Sequence, residues 1–464
     1  MEHMETDKRI YTMAEEKPAK AVVTMGAPLI AGMFIMVLYN LVDTYFIGRL
    51  HNDYMLAAVN LAYPVMMVTT ALSNMVGNGS ASLIARSLGA GDREKADHTV
   101  TVGFLLTVIN SLVLTALGLL FLPGIIKVLG AQSNTWEFTE QYVRILLIGT
   151  IFTMSSYTFS TLLRGEGSTN YSMVGMVAGT IMNLILDPVF IFGLHMEVRG
   201  AAIATVLGNA CGVAVSLGFY LTGKTILTPQ WKYLKPTAEI VKEIFWVGVP
   251  ATLETLLTSA AYIVLNNLAV AYGELTVAAM GIAQKIMSLG NYIYQGFGAG
   301  AQPLMGYNYG AKNFPRMMAL LKSGVMVVSG TELVVMAIYG IFAPWLIGIF
   351  SDNPEVISTG ATVLRALMCI LPFVGATSMS RMSFQGMGQP QYAFGITLVR
   401  QLILYIPLLL TFDHVFGFRG LIWAQPVTEL ITMAVSLFLL TRFIRQEAGK
   451  MQSQKEVPYG NREP

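Results

Sequence analysis

Long apolar runs govern what this chain can become. Twelve of them follow one another, at roughly 20–48, 56–86, 97–122, 136–163, 170–194, 200–222, 238–272, 275–307, 315–343, 356–383, 391–413 and 420–443. About 20 mostly apolar residues suffice for a helix to cross the hydrocarbon of a bilayer. A lone segment in lipid must satisfy its own backbone, so runs of this length predict spanning helices. Composition agrees. Charged residues make up 12% of the chain and hydrophobic residues 54%, against about 25% charged in a soluble domain. So few charges cannot coat a surface that faces only water. The expectation is an all-α membrane protein of twelve transmembrane helices.

Basic residues orient the spans. If both termini share one side, 21 of the 29 Lys and Arg fall on that side and five on the other. Lys285, Arg365 and Arg400 fall within spans. Such a bias marks the cytoplasmic side, so both termini are expected in the cytoplasm. The first apolar run is too long for the core of a cleaved signal and is expected to remain as a span. Cys211 and Cys369 both sit in apolar runs and predict neither a disulfide nor a metal site. No basic tract points to nucleic acid.

The two halves repeat at an offset of 220 to 222 residues. Gly26-Ala27-Pro28 matches Gly248-Val249-Pro250, and Gly79, Gly89 and Ala90 match Gly300, Gly310 and Ala311. Arg164-Gly165-Glu166-Gly167 matches Gln385-Gly386-Met387-Gly388, and Arg199-Gly200-Ala201 matches Arg419-Gly420-Leu421. Six spans per half give both copies the same orientation, hence two lobes related by a pseudo-two-fold axis along the membrane normal. The expected organisation is an N-terminal segment 1–19, an N-lobe 20–222, a link 223–237, a C-lobe 238–443 and a tail 444–464. Facing lobes of this kind suit alternating access, with a site between or within them.

The order of motifs is specific. Gly-Ala-Pro is followed by Val42-Asp43-Thr44-Tyr45-Phe46-Ile47-Gly48, Arg164-Gly165-Glu166-Gly167, Asn183-Leu184-Ile185-Leu186-Asp187-Pro188 and Val198-Arg199-Gly200-Ala201-Ala202. This series resembles the amino-terminal lobe of the multidrug and toxic compound extrusion (MATE) family, prokaryotic branch. The resemblance implies a secondary antiporter in a bacterial plasma membrane, not an enzyme. It would export amphipathic, often cationic, organic compounds in exchange for H⁺ or Na⁺, without a cofactor and as a monomer. A specific-metabolite exporter, or a flippase for lipid-linked sugars, are the alternatives within the same superfamily. The flippase would need a strongly cationic cavity, for which only Lys285, Arg365 and Arg400 are on hand.

Ionisable groups inside spans are costly and mark functional sites by default. Asp43 near the outer end of span 1, Asn183 and Asp187 in span 5, and Thr205 in span 6 fall at one depth, roughly 10 Å below the boundary at 1.5 Å per residue. Two carboxylates close together at low dielectric must share a proton or a cation, and amide and hydroxyl oxygens suit a hard cation. These four match the cation site of several family members. The plain alternatives are a helix cap or pair for Asp43, a pair with Arg199 for Asp187, and ordinary helix packing for Thr205. Tyr39, one turn before Asp43, is an accessory candidate or a packed tyrosine. Glu254 in span 7 and Lys285 in span 8 are accessory candidates too, best read as a structural ion pair, because span 10 lacks the acidic residue some members place there. Pro28 and Pro188 are hinge candidates. The many Met, Phe and Tyr residues suit promiscuous apolar binding, yet equally suit lipid-facing helices.

Overall fold

The computed structural model of the chain describes the backbone of residues 2–48 and 52–455, and the side chains of these residues other than 2–7, 38–45, 47–48, 53 and 452–455. Among the described residues the secondary structure is entirely helical. A short helix α1 (Glu2–Ala14) precedes the N-lobe. That lobe comprises α2 (Pro18–Gly48), α3 (Asp53–Leu61), α4 (Tyr63–Gly89), α5 (Arg93–Leu120), α6 (Leu122–Val128), α7 (Ser133–Ile148), α8 (Thr150–Gly165), α9 (Thr169–Pro188) and α10 (Glu197–Leu221). The C-lobe comprises α11 (Ala238–Val270), α12 (Glu274–Gly310), α13 (Phe314–Gly348), α14 (Pro354–Leu367), α15 (Leu371–Gly386), α16 (Pro390–Leu398), α17 (Ile406–Phe416) and α18 (Phe418–Lys455).

Twelve spans emerge from these elements. Ten stretches are long and apolar enough to cross a bilayer, and α7 with α8 forms an eleventh, bent by 51° where Gly149 separates them. The twelfth is α12. Gln302 and Asn308 on it are buried against other helices, so its polar residues face protein rather than lipid. Two spans are broken by single π-helical stretches, Val189–Gly193 after α9 and Val399–Tyr405 between α16 and α17. A π turn places extra backbone in the helix and recurs at functional positions.

The helix α1, the link between lobes and the last turns of α18 around Phe443 lie at one face of the bundle, called here the terminal face. The lobes close on each other there. Gly89 packs against the carbonyl of Tyr307, Gly310 against that of Arg86, and Gly248 against that of Met75, where a Cβ would collide with backbone. Small residues let membrane helices approach this closely. Ser82 Oγ donates to the carbonyls of Gln385 and Gly386, at 2.6 and 3.0 Å. Arg86 pairs with Glu243 at 3.1 Å, and Lys95 with Glu239 and Glu243 at 2.8 Å each. The deepest of the polar contacts, Thr252 Oγ1 to the carbonyl of Ala71 at 3.0 Å, reaches mid-span. Among the described residues, the inter-lobe hydrogen bonds and ion pairs all lie on this side of that point.

The helix α1 spans both lobes at the same face. Arg9 donates to Ser168 Oγ at 2.9 Å in the N-lobe. At the other end Arg316 Nη2 donates to the Thr12 carbonyl at 3.2 Å, and Arg316 Nε and Asn308 Nδ2 donate to the Met13 carbonyl at 3.1 and 2.9 Å. Met13 itself is fully buried among Phe314, Met317 and Leu304.

Candidate functional site

The antiparallel pair α9 and α10 carries three of the N-lobe candidates, Asn183, Asp187 and Thr205. Gly179 and Gly208 meet backbone to backbone, and a Cβ on either would stand 2.8 Å from the other's carbonyl oxygen. Gly175, Gly179, Asn183 and Asp187 recur every fourth residue along α9 and form one stripe. Gly208 lies against Asn183. Carried one turn further in the same register, Asp187 comes opposite Ala204 and Thr205 on α10. Asp187 is 0% exposed and Asn183 4%. Neither the amide nitrogen nor the oxygen of Asn183 has a hydrogen-bond partner among the described residues. A buried polar group left so costs about 1–3 kcal/mol, which a bound ion or water would recover. Thr205 Oγ1 donates to the Ala201 carbonyl at 3.0 Å, leaving its lone pairs free to accept. Asn209 Nδ2 donates to the Thr205 carbonyl at 3.0 Å.

Pro188 follows Asp187 directly. It has no N–H to give the carbonyl one turn back; α9 ends there, and the chain widens into the π turn. Phe46 of α2 packs edge-to-face on Phe192 of that turn, 6.1 Å between centroids. This contact brings the end of α2 to the same place. The side chains of Asp43 and Tyr39, one and two turns before Phe46, lie outside the described residues. Pro28 sits within α2, whose helix runs on through it. Arg199 is exposed while Asp187 is fully buried, so the two occupy different surroundings.

The C-lobe corrects one expectation. Glu254 does not pair with Lys285, which is exposed on α12. Arg381 of α15 takes Glu254 Oε2 at 2.5 Å, and Gln385 Nε2 donates to the same oxygen at 3.1 Å. The reason is reach and orientation: Lys285 sits on the exposed side of α12, whereas the long side chains of Arg381 and Gln385, one turn apart on α15, extend to Glu254, and the guanidinium offers several donors where an ammonium offers a point charge. Arg400 pairs with Glu429, and Arg365 donates to the Gly340 carbonyl at 3.3 Å. Both partners went unassigned at the level of sequence.

Two six-helix lobes, closed at one face and holding buried carboxylates within the spans, define a membrane transporter of the parallel-repeat type. A profile of the MatE family matches residues 28–189 and again 250–411. Starts and ends of the two copies each differ by 222, which places the repeat on independent ground. The chain belongs to the MatE family. It is similar to the multidrug export protein MepA of Staphylococcus haemolyticus, 28% identical over 94% of this chain and 96% of that protein, and to MepA of Staphylococcus aureus at 27% with the same coverage. Among solved structures it is similar to an outward-facing multidrug resistance MATE transporter of the MOP superfamily, TM-score 0.89 at 29% identity, covering 95% of this chain and 98% of that one. A MATE in complex with MaL6 aligns at TM-score 0.90 and 29% identity, over 95% and 99%.

Proposed function

We propose that this transporter is an antiporter of the plasma membrane which exports amphipathic, often cationic, organic compounds in exchange for H⁺ or Na⁺. The observation that carries this reading is the fully buried Asp187 with the open amide of Asn183 one turn away, beside the glycine-lined contact of α9 with the helix that carries Thr205. An ion or proton from outside neutralises the carboxylate there, and its release restores the charge. Asp43, one turn before Phe46, supplies the second carboxylate, and Tyr39 lies one turn further along α2. Pro28 and the Pro188 π turn serve as the hinges through which neutralisation alters helix shape. In this reading the terminal face is cytoplasmic, in line with the Lys and Arg bias, and the structure is the outward-facing state. The export names of the staphylococcal relatives support the substrate class.

The test uses inverted vesicles and a cationic dye under an imposed ΔpH, then under an imposed Na⁺ gradient. Wild type accumulates dye under one of them. Asp187→Asn and Asp43→Asn are each expected to lower that uptake at least tenfold, a transition-state cost of about 1.4 kcal/mol or more. Wild-type uptake rates in both variants would rule out coupling at this site.

A further inference from the structure

In the C-lobe, α11, α12, the apolar Ile370 and Val374 at the start of α15, the π-helical stretch Val399–Tyr405 and α18 line a chamber of about 90 Å³. Ligand pockets for drug-sized molecules run to about 300–1,000 Å³, so this one has room for a few waters and nothing larger. Tyr262, Tyr294, Tyr405, Arg400 and Glu429 line it. Glu429 is 0% exposed. Arg400 Nε donates to Glu429 Oε1 at 2.6 Å, and Arg400 Nη2 reaches the same oxygen. Both donors therefore serve one oxygen. Glu429 Oε2 is buried and has no hydrogen-bond partner among the described residues. A buried ion pair kept only for structure would have to satisfy all its lone pairs to offset desolvation. This one leaves a carboxylate oxygen without a protein partner among the described residues, at a chamber with room for water.

The repeat gives the position meaning. The offset of 220 that carries Arg199-Gly200 onto Arg419-Gly420 also carries Asn209 onto Glu429 and Thr205 onto Gln425. Gln425 too lines the chamber. In both lobes the preceding span contains a π-helical stretch. The chamber thus stands in the C-lobe where the proposed ion site stands in the N-lobe, with a tethered guanidinium in place of a bound cation.

We propose that Glu429, held by Arg400, is a second proton-binding site of this transporter, separate from the N-lobe site. The proposal rests on the antiport reading above. A proton from chamber water adds to Glu429 Oε2, forming an O–H bond and leaving a neutral carboxylic acid. Its hold on Arg400 then falls to that of a neutral acceptor. The Arg400 side chain, 22% exposed, turns outward and moves the π stretch that carries it. Loss of the proton restores the pair. The groups facing Glu429 are Arg400 and Tyr405 on the π stretch, Tyr262 on α11 and Tyr294 on α12. Arg381 on α15 adds positive charge from further off and is itself held by Glu254. Glu332 on α13 lies outside the chamber lining.

Purified protein in proteoliposomes tests this, with ethidium as the probe and a trapped pH dye reporting protons. Wild type sets the H⁺ to ethidium ratio and its pH profile. Glu429→Gln is expected to keep ethidium binding but to lower that ratio by about half, one of two titrating sites being lost, and to flatten the profile. The double variant Arg400→Met with Glu429→Met separates coupling from structure. A purely structural pair tolerates apolar replacement and would give wild-type ratios; the proposal expects the Glu429→Gln behaviour. Unchanged ratio and profile in both variants overturn it. Should the variants fail to fold, infrared titration of wild type against Glu429→Asp decides. A protonated-carboxyl band that shifts between the two as pH falls supports the site, and its absence overturns it. A wild type inert under both ion gradients counts against the antiport reading, and the infrared titration still settles whether Glu429 takes up a proton.

Discussion

Glu166 carries a charge that its surroundings do not favour. It lies just past α8, outside the spans, and is fully buried. Ser168 Oγ donates to it at 2.5 Å, the Leu227 amide donates at 3.0 Å, and Arg9 stands 4.0 Å away. Burial outweighs all three and pushes the carboxyl up from 4.5 to about 7. A raised acid pKa means the folded state holds the proton over a range where the unfolded state has lost it. Stability therefore falls as pH rises from about 4.5 to about 7, by up to about 3 kcal/mol for a shift of this order. Glu166→Gln is expected to remove most of that slope, as read from thermal unfolding across this range, and to raise stability at pH 8. The residue was visible in the Arg164-Gly165-Glu166-Gly167 motif, but its surroundings were not. Only folding brings the link at Leu227 back onto it, 61 residues away. The same holds for Glu254, whose partner Arg381 lies 127 residues off. Depth along a span can be counted from sequence; which neighbouring helix supplies the counter-charge cannot.

At the scale of helices, run length sufficed for the spans, because bilayer thickness dictates it. The interruptions were less legible. Pro188 announced the break after α9, since a missing N–H is a local property. The π stretch Val399–Tyr405 has no proline within it, and Pro407 follows only after it. The inter-lobe glycines appeared in sequence as repeat markers, and their purpose is steric. Gly248 packs so closely that a Cβ would collide with the Met75 carbonyl, which is backbone and cannot turn aside. Gly248→Ala must push α11 away from α4, at about 1–3 kcal/mol. It is expected to lower thermal stability and to weaken closure at the terminal face, read as slower disulfide cross-linking between paired cysteines placed on α4 and α11. Gly281→Ala is the control. A Cβ there meets nothing within 4 Å, and alanine favours the helix by about 1 kcal/mol, so cross-linking should proceed at the wild-type rate.

For the molecule as a whole, alternating access requires the lobes to part at the face where they now meet. The helix α1 sets a condition on that movement. It joins α2 of the N-lobe through a short turn, and Arg9 ties it to Ser168 of that lobe. Its last carbonyls, left over as at any helix end, are taken by Arg316 and Asn308 of the C-lobe. Opening the terminal face must break these three bonds and lift Met13 away from the C-lobe residues of its core, Leu304, Phe314 and Met317 among them. Arg316→Gln removes two of them. Hydrogen bonds from a charged donor contribute about 1.5–3 kcal/mol each, and about 1.4 kcal/mol is a tenfold change in an equilibrium. The variant is therefore expected to shift the population towards the state open at the terminal face by at least about tenfold. Spin labels at the exposed positions Lys224, where the link leaves the N-lobe, and Lys312, on the C-lobe, would report a longer distance in a larger share of molecules. Substituting the exposed Lys8, on the same helix, should leave the distribution as it is in wild type. An unchanged distribution in Arg316→Gln would mean that the glycine contacts alone keep the face closed and that α1 merely rides on it.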